Sequence, residues 1–231
     1  MTKRLFRLLP LLPLLLCGCH SKDFCLTGSF EHCEADVLYL DELLPDGIVC
    51  RDTLLLVNGD FLHRFHQEET SIFRLRLSDT NFLSFIGGGE DRLTFQGDAT
   101  DLKRSYRVSG NTSSQLLWEA NRRVDAMYRL TDSLSRIFKR AQQSDSLSQL
   151  GPALDSCYQT HFLSCRAFLE ELIENNLDDL AVLPVFYQRV GTRAFFSESA
   201  DADLLRRIQS HLNRAYPGNT HILSLNERLE K

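Results

Sequence analysis

A cysteine at position 19 follows three residues whose types and spacing favour its covalent modification. Leu16, Cys17 and Gly18 precede Cys19, so an aliphatic residue stands at −3, a small one at −2 and glycine at −1. This pattern is a lipobox, in which a cysteine thiol accepts a lipid. The chain ahead of it is basic at positions 3, 4 and 7 and apolar from residue 8 to residue 16, apart from two prolines. Such a run is typical of a secretory signal peptide, because a membrane-spanning helix needs roughly 20 apolar residues.

The lipobox resembles that of bacterial lipoproteins, and the resemblance implies cleavage before Cys19 and a diacylated, N-acylated Cys19. Residues 1–18 are then the signal peptide and residues 19–23 a short polar tether. The alternative is an ordinary signal peptide cut near Gly18, which preserves export but removes the anchor. His20 is not the aspartate that retains lipoproteins at the inner membrane in some bacteria, so the outer membrane is favoured.

Charge and composition limit the classes of partner. The chain has 26 Lys and Arg against 31 Asp and Glu, and removal of the signal peptide takes away three cations, which leaves a formal charge of −8. An acidic body argues against nucleic acid and against a basic patch on anionic lipid. Membrane contact is expected from the acyl chains, each buried CH₂ contributing about 0.8 kcal/mol. The hydrophobic content of 43% indicates a folded globule.

Residues 24–111 show the short, alternating apolar runs of β-strands separated by turn residues. Asn58-Gly59-Asp60 and Gly87-Gly88-Gly89-Glu90 predict two hairpin turns. The spacing predicts an antiparallel β-sandwich or barrel. The expected strands are Phe24–Phe30, Val37–Leu40, a broken run from Ile48 to Val57, Phe61–Phe65, Ile72–Leu77, Phe82–Ile86, Leu93–Phe95 and Tyr106–Val108.

Residues 112–231 follow a helical period, so the chain as a whole is expected to be an α+β fold. Thr112, Ser113 or Ser114 is expected to cap the first helix, and Gly151-Pro152 to begin a second that packs against it as an antiparallel hairpin. Shorter helices are expected over residues 178–189, 202–216 and 219–229. An apolar stripe on the first helix forms either the inside of the hairpin, which is favoured, or a partner-binding groove. It comprises Leu117, Val124, Met127, Thr131, Leu134, Phe138 and Ala141.

Five cysteines remain after the signal peptide and Cys19 are set aside. Cys157 and Cys165 lie eight residues apart on one helix, about 12 Å, too far for a disulfide. A bridge among Cys25, Cys33 and Cys50 requires that their strands be neighbours. The favoured interpretation is that most of these thiols are small buried hydrophobic groups.

The order of several β-type segments resembles a known family. The segments are Phe24-x-Leu-x-Gly28, Val37-x-Tyr-Leu40, Asp52-Thr53, Asn58-Gly59-Asp60-Phe61, Gly89-Glu90 with Leu93-x-Phe95, and Val108-Ser109-Gly110. They resemble the β-rich N-terminal domain of unknown function in lipid-anchored, thioredoxin-like (peroxiredoxin-type) proteins of Bacteroidetes. Residues 150–229 look like the helical region that follows it. The family's catalytic domain comes next, but the chain stops at Lys231 without a W-C-x-x-C signature, so no redox residue is carried over.

The same bacterial group carries O-glycans on Asp-Ser/Thr-aliphatic sequences outside the cytoplasm. The resemblance therefore implies possible acceptors at Thr53, Ser133 and Ser146. We favour Ser146, because it falls in the polar turn expected between the two long helices and a glycan needs exposure.

Other constellations carry no catalytic or metal-binding prediction. His63 and His66 stand three apart on a strand and therefore point to opposite faces, so they cannot bind one ion together. The triple glycine precedes a strand, whereas a phosphate-binding loop precedes a helix. No nucleophile motif is present. We expect no enzyme activity, no cofactor and no metal.

The sequence therefore favours a binding or scaffolding lipoprotein at the cell envelope, the accessory half of a thioredoxin-like architecture, with a separate thioredoxin-like protein as its partner. One alternative is a thiol-based redox protein that uses Cys25, Cys33 and Cys50. The other is a degenerate, functionless relic.

We expect metabolic labelling with a fatty-acid probe to mark Cys19, with the protein recovered in the envelope fraction. The thiol is the group that the lipobox presents for acylation. An unlabelled protein found in the cytosol would contradict this prediction.

Overall fold

The structure, a computed structural model, describes residues 23–144 and 146–230. The lipobox residues Leu16, Cys17, Gly18 and Cys19 lie outside the described residues. Among those described, no helix has the length and apolar character needed to cross a membrane. The first half contains β1 (Phe24–Glu31), β2 (Val37–Leu44), β3 (Gly47–Leu55), β4 (Asp60–Phe65), β5 (Ser71–Arg76), β6 (Phe82–Gly87), β7 (Arg92–Asp98), the short helix α1 (Leu102–Ser105) and β8 (Arg107–Ser109).

The second half is mainly helical, and the predicted α+β fold with its N-terminal β half is confirmed. The two long helices form the predicted hairpin. The elements are α2 (Thr112–Gln143), α3 (Leu147–Glu174), α4 (Val182–Phe186), β9 (Arg189–Val190), β10 (Arg193–Ala194), α5 (Ala202–Ala215) and α6 (Thr220–Leu229).

The strands of the first half form two four-stranded sheets. The first sheet has the order β4-β1-β7-β8 and the second has the order β3-β2-β5-β6. All neighbouring pairs are antiparallel except β1 and β7, which run parallel with Leu26 opposite Leu93. The parallel pair arises because β7 enters the first sheet from the second instead of from a neighbouring strand.

One apolar core lies between the two sheets. Phe24, Leu26 and Phe30 alternate along β1 and are buried on its inner face, as the sequence predicts. The phenylalanine rings join the sheets. Between ring centroids, Phe85 of the second sheet lies 5.4 Å from Phe73 of the same sheet and 5.0 Å from Phe95 of the first sheet. A second core fills the helical half, and Ile86 at the end of β6 belongs to it.

The two predicted turns form, but the strands that flank each of them pair in different sheets. At Asn58-Gly59 a single isolated bridge forms, between Val57 and Asp60. Asn58 and Gly59 both have left-handed backbones, with φ of 54° and 84°, and reverse the chain between β3 and β4. However, β3 pairs with β2 and β4 pairs with β1. The glycines after β6 likewise lead into β7 of the other sheet. A turn sequence specifies only that the chain reverses direction. Which strands then pair depends on which apolar strand faces are buried in the same core.

Three helical predictions need correction. The cap of α2 is Asn111, whose side chain accepts a hydrogen bond from the Ser114 amide, and not Thr112, Ser113 or Ser114. Helix α3 begins at Leu147, so Pro152 lies within it. The helix expected over residues 178–189 is reduced to the five residues of α4. Asp179 accepts from the Ala181 amide there, and this local bond favours a turn over helix.

Helix α2 closes the open edge of the sandwich by packing against the edge strands β6 and β8. The hydroxyl of Ser114 is fully buried at this contact. Its Oγ accepts from the Ile86 amide at 3.1 Å and donates to the Ile86 carbonyl oxygen at 2.6 Å. The helix thus satisfies edge-strand backbone groups that would otherwise be exposed or buried without partners.

We predict that Ser114→Ala lowers the free energy of unfolding by about 1–2 kcal/mol, because it leaves the Ile86 amide buried without a partner, while the Ile86 carbonyl oxygen still accepts from Asn111 Nδ2 at 3.0 Å. Urea titration followed by circular dichroism measures this. Ser135→Ala, on the exposed part of the same helix, is the matched control and is expected to change stability by less than about 0.5 kcal/mol. Equal effects of the two substitutions would contradict the role assigned to Ser114.

Candidate functional site

The start of the sandwich and the start of α2 lie side by side. Asp91 joins them: its carbonyl oxygen accepts from the Cys25 amide at 2.9 Å, and its carboxylate accepts from Asn111 Nδ2 at 2.7 Å. Phe24, the first residue of β1, therefore lies beside the base of the helical hairpin.

Helix α2 then runs to the opposite end of the sandwich. Near that end Arg104 of α1 pairs with Asp125 at 3.2 Å, and Lys103 lies 5.6 Å from the centre of the Tyr128 ring. The rest of the helix, as far as Gln143, extends about 22 Å further at 1.5 Å per residue. We name residues 129–158 of the hairpin the arm. It projects from the end of the sandwich opposite Phe24.

A largely apolar groove lies between α2 and α3 on the arm. We name it the arm groove. Its volume is 450 Å³. Phe138 is 44% exposed there, although it is among the largest apolar side chains of the arm. The residues that line it are Thr131, Leu134, Ser135, Phe138, Lys139 and Gln142 from α2 and Gly151, Leu154, Asp155 and Tyr158 from α3.

The predicted stripe of α2 therefore divides into two parts. Leu117, Val124 and Met127 are buried against the helical core, as favoured. Leu134 and Phe138 instead line the arm groove, where Phe138 is exposed. The sequence could not distinguish the buried part of the stripe from the exposed part, because the apolar residues keep the same three-four spacing before and after Tyr128.

The α2 side of the arm is basic in an otherwise acidic protein. Between Arg129 and Gln143 the helix carries four cations and a single carboxylate, Asp132. Asp132 pairs with Arg136 at 2.5 Å. Lys139 stands on the rim of the arm groove, opposite Asp155 of α3.

The cysteines of the redox alternative do not come together. Cys25 is buried on β1 and Cys50 is exposed on β3, and these strands belong to different sheets. Packed sheets lie about 10 Å apart, whereas the Cα atoms of a disulfide are at most about 6.8 Å apart. Cys33, in the loop after β1, donates to the Ala35 carbonyl oxygen. All five described cysteines are free thiols.

The helical cysteines have no activated thiol geometry. Burial raises the pKa of Cys165 to about 11, which opposes formation of the thiolate. The Sγ of Cys157 lies 3.7 Å from His161 Nδ1, but that nitrogen also contacts the Cys157 carbonyl oxygen at 2.8 Å.

The two histidines predicted to share a strand lie in different environments, because β4 ends at Phe65 and His66 follows it in the loop. His63 is half-buried at the sandwich core and its ring lies 5.2 Å from that of Phe65, while His66 is exposed beside Glu68. Burial lowers the pKa of His63 below its ordinary value. In the part of the chain that the structure describes, no group of three or more histidine, cysteine, aspartate or glutamate side chains could hold a metal.

The three possible glycan acceptors lie at the surface to different degrees. Thr53 on β3 and Ser133 on α2 are exposed. Ser146 lies in the turn between α2 and α3, as predicted, but it is only half-exposed and its Oγ contacts that of Ser144 at 2.8 Å. Exposure therefore favours Thr53 and Ser133 over Ser146.

Trp118 occupies the junction between the two halves. Its indole Nε1 donates to the Tyr106 carbonyl oxygen at 2.6 Å, and its ring packs on the sandwich core. It is therefore a half-buried structural residue. Comparisons of the chain with protein-family models, curated proteins and solved structures find no match.

We predict that Cys50 reacts with a maleimide first in the folded protein and that Cys25 and Cys165 react only after unfolding, because reactivity follows exposure. Mass spectrometry of labelled peptides over time measures the order. Cys50→Ala is expected to remove the fast phase, and Cys165→Ala, its control, to leave it unchanged. Formation of a Cys25–Cys50 disulfide in the folded protein would contradict the structure.

Proposed function

We propose that this chain is a lipid-anchored, extracytoplasmic binding or scaffolding protein that holds a partner protein at the cell envelope. The lipobox at Leu16–Cys19 supports the anchor, and the outer membrane is the favoured location. The observation that carries the binding role is the arm groove, where Phe138 stays 44% exposed among other apolar side chains. An exposed apolar surface of this kind is typical of protein interaction sites.

The groove favours a helix as the bound element. Two antiparallel helices present a continuous depression into which the side chains of a third helix can pack. Lys139 on the rim would pair with a carboxylate of that helix. We therefore propose an amphipathic partner helix with acidic residues beside its apolar face. The family resemblance suggests a separate thioredoxin-like protein as the partner.

The geometry suits a protein tethered at its N-terminus. Phe24 and the arm lie at opposite ends of the sandwich, so a lipid at Cys19 would leave the arm facing away from the membrane. A partner bound to the arm would be held clear of the lipid surface, where a soluble protein can reach it.

We predict that a photo-reactive amino acid at position 138 of the full-length, lipidated protein crosslinks in the native envelope to a helical segment that contains acidic residues. Phe138→Asp and Lys139→Glu are expected to reduce capture of that same partner about tenfold or more, because an aromatic anchor and its flanking charge dominate such contacts.

Leu163→Asp is the matched control for this experiment. Leu163 is 58% exposed on α3 outside the arm groove, so its substitution is expected to leave capture unchanged. Capture that does not depend on Phe138, or no capture at all, would contradict the proposal. Insulin reduction that is lost in Cys50→Ala would support the thiol-based alternative instead, and absence of both activities would support the relic.

A further inference from the structure

A second concavity lies where the base of the arm meets the sandwich, on the same side of α2 as Trp118 and further along the helix. We name it the junction cleft. Its volume is 270 Å³, which suits a ligand smaller than a drug-sized molecule. Its walls come from β6, α1, α2 and the start of β9 with the residue before it. The residues that line it include Phe82, Lys103, Asn121, Asp125, Tyr128 and Arg189.

A relay of hydrogen bonds joins these four walls. Gln188 Nε2 donates to Asn121 Oδ1 at 2.8 Å, Asn121 Nδ2 donates to the Tyr106 hydroxyl at 3.3 Å, and that hydroxyl donates to the Ser84 carbonyl oxygen at 3.2 Å. Burial raises the pKa of Tyr106 to about 12, so the hydroxyl keeps its proton and the direction of the relay is fixed. The floor of the cleft is therefore preorganised.

The mouth of the cleft has an excess of positive charge. Lys103 and Arg189 have no carboxylate within ion-pair distance among residues 23–144 and 146–230. The one acid of the lining, Asp125, is already paired with Arg104 at 3.2 Å and approached by Arg129 at 3.6 Å. An incoming anion would therefore meet two cations that no internal carboxylate neutralises.

Aromatic rings stand beside these cations. Tyr128 is 38% exposed and lies under the Lys103 ammonium, and Phe82 of β6, whose ring has the Arg74 guanidinium 5.4 Å from its centre, also lines the cleft. An aromatic ring offers a face on which another planar group can stack. The guanidinium of Arg189 suits a planar, bidentate anion such as a carboxylate.

We propose that the junction cleft binds a small aromatic carboxylate. The ring lies against Phe82 and Tyr128, and the carboxylate pairs with Arg189 and Lys103. This inference is independent of the arm groove, because the two surfaces share no lining residue.

The test uses phenylacetate as the probe with the full mature chain, followed by saturation-transfer NMR and calorimetry. Phenylacetate is expected to bind, and Arg189→Gln and Lys103→Gln are each expected to weaken it about tenfold, the effect of losing one charged hydrogen bond. Both residues are exposed, so the variants are expected to fold as the parent does.

Three controls make the result decisive. Arg214→Gln, an exposed cation on α5 far from the cleft, should leave phenylacetate binding unchanged. Benzyl alcohol lacks the charge and acetate lacks the ring, so both should bind at least about tenfold more weakly. No binding of phenylacetate, or binding that is equal in Arg189→Gln, would overturn the proposal while leaving capture of a partner by the arm untouched.

Discussion

The position of helix α2 on the open edge of the sandwich is the constraint on which the rest of the structure depends. Ser114 supplies both a donor and an acceptor to Ile86, so the helix replaces a missing neighbouring strand at one point of β6. Asn111 fixes the first turn to Asp91, and Trp118 fixes the second to Tyr106. Once these polar contacts set the direction of α2, the direction of the arm and the width of the junction cleft follow.

Much of the fold could be predicted from local pattern. The alternation of Phe24, Leu26 and Phe30 predicts the buried face of β1, and the three-four spacing after Thr112 predicts the hairpin of α2 and α3. The pairing of strands could not be predicted, because Asn58-Gly59 specifies a reversal without specifying which sheet receives the next strand. The parallel contact of β1 with β7 depends on residues about 70 positions apart, beyond the reach of any local signal.

The candidate sites were harder to predict than the fold, and for a physical reason. Leu117 and Phe138 belong to one amphipathic stripe, yet Leu117 is buried in the helical core, whereas Phe138 lies beyond that core on the arm and is exposed. The junction cleft is assembled from Ser84, Tyr106, Asn121 and Gln188, which lie on four separate segments. None of these residues forms a motif with its sequence neighbours, so only the folded arrangement brings them together.

The interior position of β1 has a mechanical consequence. This strand lies between β4 and β7 and is paired with both along most of its length. A force applied to the chain ahead of Phe24 acts along β1. It loads the hydrogen bonds from β1 to β4 and from β1 to β7 in shear, so the bonds of both rows resist together and do not open one at a time. If the chain is anchored ahead of Phe24, the load therefore enters the fold through an interior strand of its first sheet.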